Sequence, residues 1–173
     1  LKSQLGHDEG RPERAEVEAH VAGTTATWDA RYAAKFASDQ VPLNPYRVIA
    51  DFIALTDPAN TIVTHDSGYP RDQLVPFWQT VKPRGYTGWG KSTQLGYGLG
   101  LTIGAKLAAP EKHAINIMVD AAFGMSGLDI ETAARSGIGT LTVILNNSIM
   151  THYSSNMPYA TEHHGSNKLS GEY

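Results

Sequence analysis

The stretch NIMVDAAFGMSGLDIETAARSGIGTLTVILNNSI, residues 116–149, decides the fold. An apolar run from Ala114 to Val119, with one asparagine inside, delivers an acid, Asp120, at its carboxyl end. Two small residues follow, Ala121 and Ala122, and then a segment of helical character. A second apolar run, Thr140 to Leu145, delivers two amides, Asn146 and Asn147. The order is strand, helix, strand. Successive strands of such a unit run parallel and lie near each other. Asp120 and Asn147 are therefore predicted to meet at the carboxyl edge of a parallel sheet, where open α/β folds bind ligands.

One carboxylate and one amide carbonyl are hard oxygen donors. They suit Mg²⁺, which keeps several waters and takes phosphate oxygens as further ligands. Backbone N–H groups at the start of the intervening helix would face the same phosphates. Taken singly, an aspartate before a helix is a common cap and an Asn pair a common turn. Two matched strand ends within one unit argue for a site.

The same stretch resembles the motif of thiamine-diphosphate-dependent enzymes, which runs Gly-Asp-Gly, a helix of fixed length, then Asn-Asn. Asp120 and Asn147 stand 27 positions apart, the spacing that family uses. The resemblance implies Mg²⁺ bound by the side chains of Asp120 and Asn147 and by the carbonyl of Ile149. It also implies that Ala121 and Ala122 present backbone N–H groups to the diphosphate. The sequence departs from the motif at Val119, which stands where the leading glycine is expected; a valine there would crowd the turn or weaken cofactor binding. Ala121 replaces another frequent glycine, as is familiar in the acetolactate-synthase branch.

Two upstream segments extend the resemblance. Thr61-Ile62-Val63-Thr64 reads as a β-branched strand ending in the polar loop His65-Asp66-Ser67-Gly68, and such a loop after a parallel strand is a ligand loop or a plain turn. The family has a comparable acidic, glycine-containing turn against the diphosphate, so Ser67 and Gly68 are the implied contacts. QLGYGLGLTIGAKLA, residues 94–108, is similar to the segment that precedes the metal motif in acetolactate-synthase-like enzymes. Leu95 matches the bulky aliphatic residue that props the cofactor into a bent shape, or is an ordinary core leucine. The carbonyl of Thr93 matches the acceptor for the aminopyrimidine.

The glycines at 96, 98, 100 and 104 also invite a nucleotide reading. The segment before them is a poor strand and the spacing is not that of a dinucleotide fingerprint. A helix whose face is smoothed by Gly100, Gly104, Ala105 and Ala108 for close packing is the preferred reading.

Composition sets the outer bounds. The chain has 173 residues, 41% hydrophobic and 18% charged, with a net charge of −3 and no cysteine. Disulfides, thiolate metal sites and cysteine nucleophiles are excluded. Nothing in the charge pattern points to nucleic acid or to an anionic membrane. No apolar run reaches the roughly 20 residues of a membrane span, and the amino end lacks an apolar leader core. A cytoplasmic protein is expected.

Residues 1–42 read as a polar connecting arm, or alternatively a disordered leader, with one or two amphipathic helices between Pro12 and Phe36 carried by Val17, Val21, Trp28, Tyr32 and Phe36 in the first reading. Asn44-Pro45 should cap and open a helix whose apolar face is Val48, Ile49, Phe52, Ile53 and Leu55. Residues 69–91 read as an irregular excursion. Beyond Ile149, His152 and Tyr153 are substrate-side candidates by resemblance, and His163-His164 reads as solvated loop.

The expected fold is an α/β, three-layer parallel sheet flanked by helices over residues 43–173, the diphosphate-binding domain of this family, incomplete at its carboxyl end. The resemblance implies decarboxylation of a 2-oxo acid substrate or carboligation, with thiamine diphosphate and Mg²⁺ as cofactors. The activating glutamate is expected from a separate pyrimidine-binding domain, in a homodimer or homotetramer, so this chain alone should be catalytically silent. The alternatives are a nucleotide- or phosphate-binding α/β module and a degenerate, non-catalytic subunit.

Overall fold

The structure is a computed structural model that describes residues 13–88 and 94–148. Thr93, Ile149, His152, Tyr153 and His163-His164 lie outside the described residues. The chain divides into two compact units, residues 1–50 and 51–173.

In the first unit, α1 spans Arg14–Phe36 as one 23-residue helix with no buried residue. Trp28, Tyr32 and Phe36 recur every four residues, so their rings fall on one face. Trp28 and Tyr32 stack at 5.4 Å between centroids, and Tyr32 meets Tyr46 at 4.8 Å. α2, Pro45–Leu55, begins in this unit: the Tyr46 N–H donates to Asn44 Oδ1 at 3.0 Å, and Pro45 takes the first helical position, where a missing N–H costs nothing.

The second unit holds a four-stranded parallel sheet ordered β2-β1-β3-β4. β1 is Thr61–His65, β2 Tyr86–Thr87, β3 His113–Val119 and β4 Leu141–Leu145. All five residues of β1 and six of the seven in β3 are buried. Strands covered on both faces need such unbroken runs of β-branched and apolar residues.

The helices between them are α3 (Tyr69–Leu74), α4 (Tyr97–Ala108), α5 (Asp120–Ser126) and α6 (Asp129–Arg135). α4 packs against β1 and β3, and α5 against β3 and β4. The expected α/β parallel sheet with flanking helices is what forms. The sequence neighbours β1 and β2 lie to one side of the β1–β3 junction and β4 to the other. Strand order therefore reverses between β1 and β3, the position where open sheets form a ligand crevice.

Three local expectations change. Residues 69–88 contain α3 and the two-residue β2, which pairs with β1 at Val63↔Tyr86. The single helix after Asp120 is two, broken at Gly127-Leu128. Gly100 and Gly104 do not pack closely: both are exposed, and an added Cβ at either would meet nothing within 4 Å. α4 instead buries Gly98, Leu99 and Thr102. The close approach is at Gly98, where a Cβ would lie 2.7 Å from Asn116 Oδ1 and 2.9 Å from the His65 carbonyl oxygen.

Candidate functional site at the carboxyl edge of the sheet

The register brings three strand ends together. Val119 pairs with Leu145 and Ile117 with His65. One step further on, Asp120 is level with Asn146, with Asn147 next along the chain. On the other side of β3, the loop Asp66-Ser67-Gly68 leaves β1 at the same edge. Asp120 opens α5 directly from β3, and its Oδ1 is buried with no hydrogen-bond partner among the described residues. A buried carboxylate oxygen without a donor is costly, so it marks a position where a cation or donor is wanted. Ala121 and Ala122 are buried beside it. At the end of β4, the Ser148 N–H donates to Asn146 Oδ1 at 3.0 Å, with Ser148 at φ 56°. The turn reading thus holds for Asn146, and Asn147 is exposed at the edge.

Val119 does not crowd this turn. Its φ of −94° and ψ of 161° are extended values open to any residue. Its side chain, 6% exposed, joins Met118, Ala121 and Ala122 in one core cluster. Leu95, Tyr69 and Phe123 pack against that cluster, so Leu95 lies beside the end of β3.

In the sequence Asp66 stands only as one acid in a polar loop, yet it organises the edge. It is fully buried. Its Oδ1 accepts the Ser67 N–H at 2.8 Å and the Gly96 N–H at 3.0 Å. Its Oδ2 accepts the Gly96 N–H at 3.0 Å and the Gly98 N–H at 3.1 Å. These are amides that a phosphate at the start of α4 would need. A carboxylate already holds them and would repel a second anion, which removes the physical basis for a nucleotide site at GYGLG. Below it, Thr64 Oγ1 donates to Asn116 Oδ1 at 3.0 Å and contacts Thr102 Oγ1, while Thr102 donates to the Gly98 carbonyl at 2.8 Å. Asn116, the one polar residue inside the β3 run, thus satisfies a buried network between sheet and α4. The signals for both residues were weak, because their partners are 30 and 52 positions away along the chain.

Ser67 is buried, and Gly68, at φ 81°, caps α3 in the left-handed region that glycine alone enters freely. On the β2 side, the His65 ring stacks on Tyr86 at 5.4 Å, and its Nδ1 lies 2.8 Å from the Asp66 carbonyl oxygen. Burial of the Tyr86 phenol pushes its pKa up to about 12, with Tyr97 adding to the rise and Arg71 opposing it.

Residues 66–172 match the family described as thiamine pyrophosphate enzyme, C-terminal TPP binding domain. The chain belongs to this family. A probable acetolactate synthase of Mycobacterium bovis is 32% identical over 116 residues, 67% of this chain and 21% of its own length. The 2-hydroxyacyl-CoA lyase of Saccharomyces cerevisiae is 32% identical over 110 residues, 64% of this chain and 20% of the lyase. The mitochondrial acetolactate synthase of Schizosaccharomyces pombe is 30% identical over 125 residues, 70% of this chain and 19% of the synthase. The chain thus spans about a fifth of the length of these curated relatives.

Membership in the thiamine pyrophosphate family supports thiamine diphosphate and Mg²⁺ as the cofactors. The residues present fit them. The partnerless Asp120 oxygen is a hard anionic donor at the sheet edge. No helix among the described residues is long and apolar enough to cross a membrane.

Proposed function

We propose that this chain is the diphosphate- and Mg²⁺-binding domain of an enzyme that decarboxylates a 2-oxo acid or joins the resulting fragment to a second carbonyl compound. The buried, partnerless Oδ1 of Asp120 carries the reading. Asp120, Asn147 and the carbonyl of Ile149 would hold the metal. Ser67 and Gly68, and the backbone N–H groups of Ala121 and Ala122, would receive the diphosphate; the Ser67 N–H itself is held by Asp66. Leu95 would support the bent cofactor from below, and the Thr93 carbonyl would accept a proton-bearing nitrogen of the aminopyrimidine. When bound, thiamine diphosphate supplies the electron sink for cleavage of the bond next to the carbonyl. The metal held by these residues would anchor the diphosphate. The protein's part is orientation and the exclusion of water.

Residues 43–173 form the functional domain in this reading, with residues 1–42 as an arm. The family resemblance adds a pyrimidine-binding domain, in the same enzyme or a partner subunit, that contributes the activating glutamate. It also adds a homodimer or homotetramer, and makes the chain by itself a lyase or transferase without turnover. The cytoplasm is the proposed location.

The test is calorimetric titration of thiamine diphosphate with and without Mg²⁺, into the wild type and Asp120→Ala. Metal-dependent binding that disappears in the variant is expected. Binding that survives Asp120→Ala unchanged would sink the assignment. Removing an acid whose buried oxygen has no partner should leave the unliganded fold within about 1 kcal/mol of the wild type, so loss of binding will not be loss of structure.

A further inference from the structure

We propose that Asp66 is a positioning residue of the thiamine diphosphate site: its carboxylate sets the placement of the 94–98 loop, and of Leu95 within it, against the end of β1 that carries Ser67 and Gly68. The inference rests on the cofactor reading above. Three observations carry it. The carboxylate is fully buried and both of its oxygens accept backbone N–H groups, one from its own loop and two from a segment 30 positions on. Charge-assisted bonds of this kind are shorter and stronger than neutral ones.

Secondly, the tie falls on Gly96, the residue that follows Leu95. Gly96 adopts φ 88°, and a Cβ on it would lie 3.3 Å from the Cβ of Ser126. The loop is therefore held between the end of β1 and α5, the helix that begins at Asp120. Thirdly, Leu95 packs on Met118, Val119, Ala121 and Ala122, so its height above the sheet is set relative to the metal-binding strand end. One carboxylate thus links the segment that would meet the diphosphate to the segment that would bend the cofactor.

An asparagine cannot replace it. The amide offers one acceptor oxygen, and its NH₂ would face the N–H of Gly96 or Gly98, donor against donor. The holoenzyme that contains this chain is compared as wild type and Asp66→Asn. The readouts are amide hydrogen exchange, thiamine diphosphate binding with Mg²⁺, and the rate of proton exchange at C2 of the bound thiazolium.

In Asp66→Asn the amides of Gly96 and Gly98 should lose at least about tenfold in protection while Ile117 and Met118 keep theirs. The dissociation constant should move by less than about threefold, since the metal-binding strand ends are untouched. The C2 exchange rate should fall at least about tenfold, the cost of misplacing a reacting group by a fraction of an ångström or more. A merely structural role would not separate binding from C2 exchange.

Wild-type binding with unaltered C2 exchange in Asp66→Asn overturns this proposal alone. Failure of the wild type to bind the cofactor overturns the reading beneath it as well. Should Asp66→Asn not fold, Gly96→Ala displaces the same loop from the other side while leaving the acid in place. Normal C2 exchange in Gly96→Ala likewise overturns the proposal.

Discussion

Three alanine substitutions in α4 make a test in which the same chemical change should have opposite signs. Gly98→Ala adds a methyl group 2.7 Å from Asn116 Oδ1, 2.9 Å from the His65 carbonyl oxygen and 3.0 Å from its carbon. Two of those atoms are strand backbone, and the third is fixed by its hydrogen bond to Thr64. Relief requires α4 to move away from β1. Overpacking of this kind costs about 1–3 kcal/mol. Movement of α4 also stretches the bond from Thr64 to the Gly98 carbonyl, at about 1 kcal/mol for one net bond lost. Against this, alanine gains about 1 kcal/mol over glycine in a helix.

The net is a destabilisation of about 2–3 kcal/mol, near the upper end because the clashing atoms are backbone. Gly100→Ala and Gly104→Ala meet nothing within 4 Å, so only the propensity remains and each should stabilise by up to about 1 kcal/mol. Urea unfolding would read this directly. With a slope of about 1–3 kcal/mol per molar, Gly98→Ala should lower the midpoint by roughly 0.7–3 M while the other two raise it slightly. A Gly98→Ala midpoint at or above the wild type would refute the close approach of α4 to the sheet.

Two further outcomes follow from the site. Val119→Gly restores the family's residue but removes a side chain that is 6% exposed in the core. It should cost about 2–4 kcal/mol without tightening thiamine diphosphate binding; calorimetry showing markedly tighter binding would mean that valine does obstruct the turn. Tyr86, with its pKa raised from 10.0 to about 12, holds its proton more tightly in the folded state than in the unfolded one. Its contribution to stability is therefore intact below pH 10 and lost as the pH rises toward 12. Melting temperatures across that range should fall less steeply in Tyr86→Phe, and the 295 nm titration should lose a late-titrating phenol in that variant.

The sequence was most legible where chemistry and periodicity coincide. β3, β4 and the acid and amide at their ends follow from runs of five to seven residues that have no other stable use. β2 was not legible, because a two-residue strand has no pattern of its own and exists only through its register with Val63 and Thr64. The glycines of α4 show the same limit. Spacing identified a helix but not which glycine touches the sheet, since that depends on Asn116 and His65 approaching from elsewhere in the chain. Asp66 could be seen as acidic and loop-borne. That it binds amides rather than a ligand is decided 30 positions away.

The two tryptophans of the described residues also make this chain a self-reporting one. Trp28 is 39% exposed, with the Arg31 guanidinium carbon 5.7 Å from its ring centroid, and sits in the first unit. Trp78 is 9% exposed and 5.4 Å from Phe52 in the second. An exposed indole emits further to the red than a buried one, so the two units carry spectrally distinct labels without any added dye. With Trp89 replaced by phenylalanine, Trp28→Phe would leave fluorescence that follows the sheet domain, and Trp78→Phe would leave the emission of the α1 unit. Denaturation of the two could then be followed separately in one cuvette.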